Sequence, residues 1–74
     1  MPSTSPHALP WVEEILDRAI TANQADPDPD LNRFRAIGHL STAYLAYAEA
    51  ARDGRQALAQ QHLAEVERLA EPLR

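Results

Sequence analysis

The segment Ala25–Leu31, which reads ADPDPDL, sets the strongest limit on how this chain can fold. Each proline biases the residue before it away from helical backbone angles, so one helix cannot run through the segment. The residues on both sides have helical apolar spacing, and the segment therefore separates two helices. We predict that Asp26 ends the first helix and that Asp28 is the N-cap of the second. Pro29 is then the first helical residue, and Asp30 lies favourably in the first turn.

The alternating aspartates also resemble the first half of an EF-hand calcium loop, D-x-[DN]-x-[DN]-G. Counting from Asp26, the sixth position is Leu31 where the loop needs glycine, and the twelfth is Ile37 where it needs glutamate. The prolines also stiffen the backbone that would have to surround the ion. Helix punctuation is therefore favoured over calcium binding, and we expect no metal and no cofactor.

Apolar residues at helical spacing predict a first helix from about Pro10 to Gln24 and a second from the aspartates to about Arg52. The turn after it offers two alternatives: Gly54 ends the second helix in a left-handed conformation, or Asp53 caps a third. Since the turn is short, the second and third helices are expected to be antiparallel. The prediction is an all-α, three-helix domain over residues 10–74, preceded by a flexible tail over residues 1–9.

The second helix has an apolar surface that covers more than half of its circumference. One arc contains Leu31, Phe34, Leu45 and Ala48, with Gly38 and Ser41 among them. The adjoining arc contains Ile37, Leu40, Tyr44, Tyr47 and Ala51. A helix that is apolar over so much of its surface is typically buried by more than one neighbour.

We predict that the second of these arcs stays uncovered in the monomer and binds a partner, because the first and third helices must also contact each other. The predicted partner-binding residues are Ile37, Leu40, Tyr44 and Tyr47. A two-fold homodimer would let this surface meet itself. For Gly38, close packing against the first helix is favoured over a place in a dimer seam.

The other residues do not form a pattern typical of a metal site, a catalytic site or a nucleic-acid-binding surface. The chain has no cysteine, which excludes disulfides and thiolate metal sites. The histidines His7, His39 and His62 lack zinc-binding spacing. His62 lies in the apolar stripe of the third helix, where a packed histidine is favoured over a pH-sensitive group. Serines lack a nucleophile elbow, and the arginines look scattered, so we expect neither catalysis nor direct nucleic-acid binding.

The function predicted from these patterns is that of a non-enzymatic protein–protein interaction module, acting on a partner protein or on itself. The alternative is a small acidic regulator or inhibitor of a polymerase or nuclease, in keeping with the net charge of −4. All seven basic residues are arginine, which suggests GC-rich coding and a bacterial or phage source. No signal peptide or membrane span is recognisable, so a cytoplasmic location without membrane contact is expected.

Overall fold

A computed structural model describes residues 8–28 and 30–74. This part of the chain contains three α-helices and no strand, which confirms the predicted all-α, three-helix architecture. The predictions for Pro29 and for residues 1–7 of the tail lie outside the described residues. The elements, in chain order, are α1 (Pro10–Ala25), α2 (Leu31–Arg52), α3 (Gln56–Ala70) and a 3₁₀ helix (Glu71–Leu73).

The boundaries of α1 follow from its two flanking prolines. The helix begins at Pro10, as predicted, because proline lacks the N–H that would be unpaired in the first turn. Leu9 precedes it in an extended conformation. At the other end Asp26 is also extended, with a ψ of 124°, as expected for a residue that precedes a proline. The Asp26-Pro27 pair therefore ends α1, as the sequence predicts.

The start of α2 corrects one detail of the prediction. The N-cap is Asp30, and not Asp28, since the Asp30 carboxylate accepts a hydrogen bond of 2.9 Å from the backbone N–H of Asn32. The Asp26 carboxylate accepts a similar bond from the N–H of Asp28. Two aspartates can thus each satisfy a backbone donor two residues ahead, whereas a cap at Asp28 would leave Asp30 inside the helix. These carboxylates therefore stabilise the end of α1 and the start of α2.

The turn between α2 and α3 settles the choice that the sequence left open. Gly54 has a positive φ of 77°, which costs glycine little and other residues more. The Arg55 N–H donates to the Ala50 carbonyl at 2.9 Å, and the Gly54 N–H donates to the Ala51 carbonyl at 3.2 Å. These two bonds form a Schellman C-cap. The alternative with Asp53 as the cap of α3 is wrong, because Arg55 occupies that position.

The core lies where all three helices meet. It is built from short and branched aliphatic side chains, among which Leu40 is the largest that is fully buried. The contact between α2 and α3 is the most extensive in the chain, and α1 packs against α2 over a smaller area. This leaves Ile20, near the end of α1, 41% exposed. The residues of the core cluster are Val12, Ile15, Leu40, Ala43, Val66 and Ala70.

Candidate interaction surface

One side of α2 presents large apolar side chains to solvent. Leu31 is 72% exposed, and Phe34 and Leu45 are each 65% exposed. Gly38 and Ser41 lie between them on the same side of the helix. We call these five residues the outer face of α2. Among the described residues, they include the three large apolar side chains with the greatest exposure.

Helical geometry explains why the outer face cannot join the core. At 100° per residue, its centre lies roughly 150° around the helix from the side that contacts α1 and α3. That opposite side, which we call the inner face, is centred on Leu40, which has no exposed surface. The inner face is filled by buried residues at helical spacing: Ile37, Leu40, Ala43 and Ala50.

The predicted partner-binding residues therefore lie on the inner side of the helix, which the neighbouring helices cover. Ile37 is 9% exposed and Leu40 is fully buried. Tyr44 and Tyr47 are half-buried and pack against the core cluster. Neighbouring helices cover this arc because it lies in the middle of the apolar surface of α2, and the exposed arc lies at one edge. The sequence pattern identified both arcs, but the expectation that this one stays uncovered is wrong.

Tyr44 also has a structural hydrogen-bonding role. Its hydroxyl accepts a hydrogen bond of 2.8 Å from the backbone N–H of Leu9 and donates one of 3.0 Å to the Glu13 carboxylate. Burial raises the pKa of Tyr44 above the usual 10.0; the Leu9 N–H lowers this pKa, and the Glu13 carboxylate raises it. These bonds fasten the start of α1 to the middle of α2, which is a role within the chain.

Gly38 lies in the open on the outer face. A Cβ atom built on it would meet no atom within 4 Å, apart from neighbouring backbone of its own helix. The favoured explanation from sequence, close packing against α1, is therefore wrong. A glycine inside a helix costs about 1 kcal/mol relative to alanine, and no contact with another described residue compensates for that cost here. The result is a notch between Phe34 and Leu45.

Charged residues flank the outer face on both sides. Arg35 and Glu49 lie on one flank of the helix, Asp30 lies on the other, and Arg52 lies near the centre line at the C-terminal end. All four are exposed, and none takes part in a side-chain ion pair within the described part of the chain. The apolar stripe is therefore bordered by both signs of charge, which are available to an approaching molecule.

The arginines are less scattered than their sequence positions suggested. Arg18 from α1, Arg33 from α2 and Arg74 at the end of the described chain all line one open cavity of about 280 Å³. Arg74 also lies over the Trp11 ring, with 5.3 Å from its guanidinium carbon to the ring centroid, and its Nε atom is 4.0 Å from the Glu71 carboxylate. Folding thus assembles a basic cavity away from the outer face.

Three further sequence expectations concern His62, metal sites and membrane spans. His62 is half-buried on α3, where the sequence favours a packed histidine. Among residues 8–28 and 30–74, no three histidine, cysteine, aspartate or glutamate side chains form a group that could hold a metal ion. None of the described helices combines the length and apolar character needed to span a membrane.

One overlooked signal could have identified the outer face from the sequence. Ala36, Ala43 and Ala50 recur every seven residues and lie on the side of α2 farthest from Phe34 and Leu45. Counting these alanines as core residues moves the centre of the apolar surface to Leu40 and Tyr47. Leu31, Phe34 and Leu45 then become the uncovered edge.

Comparison with known proteins gives no assignment: no protein-family model, no curated protein and no solved structure matches this chain.

Proposed function

We propose that this chain is a non-enzymatic protein–protein interaction module whose contact surface is the outer face of α2. A single observation carries the proposal: three large apolar side chains, each at least 65% exposed, lie along one side of one helix. Single exposed apolar residues are ordinary on a protein surface, whereas several aligned on one side of a helix are typical of helix-mediated recognition.

The energetics of this face support the proposal. Full burial of a leucine or phenylalanine side chain contributes about 1.5–3 kcal/mol. Phe34 and Leu45 keep 65% of their surface exposed, so most of that contribution is not used in folding. A partner that covers these side chains would gain it. The notch at Gly38 would let an apolar side chain of the partner approach the α2 backbone closely.

Site-specific photo-crosslinking in the cells that encode the protein tests this function. A benzophenone-bearing amino acid replaces Phe34 on the outer face, and in a control variant it replaces Gln61, which is exposed on α3. We expect discrete protein adducts from position 34 and none of comparable yield from position 61. Equal yields from the two positions, or no adduct from position 34, would contradict the proposal.

The crosslinked species also distinguish the alternatives raised by the sequence. An adduct with a polymerase or nuclease would assign the module to the regulation of nucleic-acid enzymes, and an adduct with a second copy would indicate self-association. The proposal includes the bacterial or phage source and the cytoplasmic location expected from the sequence. Fractionation of the same cells tests the location.

A further inference from the structure

We propose that the occupant of the outer face is a second copy of this chain, with its α2 helix packed antiparallel to the first. The inference rests on the proposed function, since it names the partner of the same surface. The two-fold axis would pass between Ser41 and Thr42, which are the middle residues of α2. A two-fold pairing lets one surface be self-complementary, so each copy must carry both halves of every contact.

The shape of the outer face is complementary to that of a second copy. Gly38 and Leu45 lie at equal distances on either side of the midpoint of α2. In an antiparallel pair with this midpoint, Leu45 of each copy faces Gly38 of the other. The Cβ position of Gly38 is open, so the leucine has a notch to fill. Each copy would thus supply one knob and one hole.

The charges around the outer face are also complementary to those of a second copy. In an antiparallel two-fold pair, residues on one flank of a helix meet residues on the same flank of the partner helix. With the axis between residues 41 and 42, Arg35 comes within roughly 1.5 Å, measured along the helix, of the level of Glu49 in the other copy. Asp30 and Arg52 lie at matching levels in the same way. Four pairs of opposite charge would therefore border the interface.

A parallel arrangement of the same helices has neither the fit of Leu45 into the Gly38 notch nor the pairing of opposite charges. Each residue would then lie level with itself, so Gly38 would face Gly38 and leave a gap. Arg52 lies near the centre line of the outer face and would approach Arg52 of the other copy, which is repulsive. The antiparallel pairing is the one that fits the side chains present.

Cysteine crosslinking tests the pairing and its direction together, because the chain has no cysteine of its own. In the proposed register, two copies of the Ser41→Cys variant bring their residues 41 within disulfide distance. Two copies of the Leu31→Cys variant keep residues 31 about 30 Å apart along the helices. We expect rapid oxidation to a covalent dimer for Ser41→Cys and none above the background rate for Leu31→Cys. Efficient crosslinking of Leu31→Cys, or none of Ser41→Cys, would overturn the register.

Sedimentation velocity of the unmodified chain and the Gly38→Leu variant tests the notch. The open Cβ position means that leucine there leaves the fold intact, while it fills the hole that Leu45 of the other copy needs. We expect reversible dimers of the unmodified chain and at least a tenfold weaker association for Gly38→Leu. The Ala64→Leu variant, altered at an exposed position on α3, should associate like the unmodified chain.

The possible results separate this inference from the proposed function. A chain that stays monomeric up to millimolar concentration overturns self-association. If photo-crosslinking at position 34 then yields adducts with a different protein, the interaction module stands with another occupant. If position 34 yields no adduct at all, the proposed function fails as well.

Discussion

The two faces of α2 use side chains in opposite ways. The inner face combines two large and two small apolar residues: Ile37 and Leu40 are buried beside Ala43 and Ala50, and Leu40 is the largest fully buried side chain among the described residues. The outer face carries Leu31, Phe34 and Leu45, the most exposed large apolar side chains in the described chain. One helix thus holds large apolar side chains in opposite environments: Leu40 is fully buried against the neighbouring helices, and Leu45 is 65% exposed.

This difference shows how a short chain can combine a stable fold with an apolar contact surface. The contact between α2 and α3 is the most extensive among the described helices, and the inner face supplies buried residues of both large and small size to the core. The large side chains of the outer face take no part in that core. The same kind of substitution should therefore change the free energy of unfolding by different amounts on the two faces, and matched pairs of variants test this.

The largest difference is expected for the same leucine truncation on the two faces. Leu40→Ala removes a fully buried side chain and should lower the free energy of unfolding by about 2–5 kcal/mol. Leu45→Ala removes a side chain that is 65% exposed and should change it by less than about 0.5 kcal/mol. Urea titration at low protein concentration, where any dimer is dissociated, measures both. Similar losses in the two variants would contradict the division of α2 into two faces.

Two glycine substitutions should change stability in opposite directions. Gly54→Ala forces a Cβ atom onto a residue with φ of 77° and should destabilise the fold by about 1–2 kcal/mol. Gly38→Ala places a Cβ atom in open space inside a helix and should stabilise the monomer by about 1 kcal/mol. Thermal unfolding of both variants at low protein concentration, where any dimer is dissociated, provides the comparison. A loss of stability in Gly38→Ala would mean that residue 38 is in close contact within the monomer.

Alanine substitution of the two aspartates before α2 should give smaller changes in the free energy of unfolding. Asp30→Ala removes the N-cap and should cost about 0.5–2 kcal/mol. Asp28→Ala should cost less, because the Asp28 contribution to the turn is its backbone N–H, which the substitution keeps. Urea unfolding distinguishes them. A larger loss for Asp28→Ala would return the N-cap to the position predicted from sequence.

The smallest loss of stability is expected for Tyr44→Phe, and this loss should depend on pH. Tyr44→Phe removes the hydroxyl that Leu9 and Glu13 share and should cost about 0.5–1.5 kcal/mol near neutral pH. Because the pKa of Tyr44 is raised in the folded chain, its contribution is present below pH 10.0 and is lost as pH rises through the folded pKa. The stability difference between the two proteins should therefore change above pH 10.0. A difference that is constant through alkaline pH would contradict this role.

Local sequence signals predicted most of the fold. Prolines mark the boundaries at Pro10 and Asp26, and Gly54 marks the tight turn, because each acts through its own backbone geometry. The choice between Asp28 and Asp30 as the N-cap was beyond such signals. Both residues satisfy the same preference, and only the three-dimensional path of the turn decides between their carboxylates.

The candidate surface was only half predictable. Helical periodicity identified two apolar arcs on α2, but which arc is buried depends on how closely its neighbours approach. The buried side includes alanines, such as Ala43 and Ala50, whose weak hydrophobic signal is easily overlooked. The arginine cavity was beyond prediction for a related reason: Arg18, Arg33 and Arg74 are far apart in sequence, and only the packing of the helices brings them together.

Amide chemical shifts of the ¹⁵N-labelled chain, followed through a dilution series and through addition of any photo-crosslinked partner, test most directly whether the outer face of α2 is the contact surface. We expect concentration-dependent or partner-dependent shifts at Leu31, Phe34, Gly38 and Leu45. The amides of α3 and of the arginine cavity should stay nearly unchanged. Shifts that cluster around Arg18 and Arg74 while the outer face stays silent would contradict the assignment of α2 as the interaction surface.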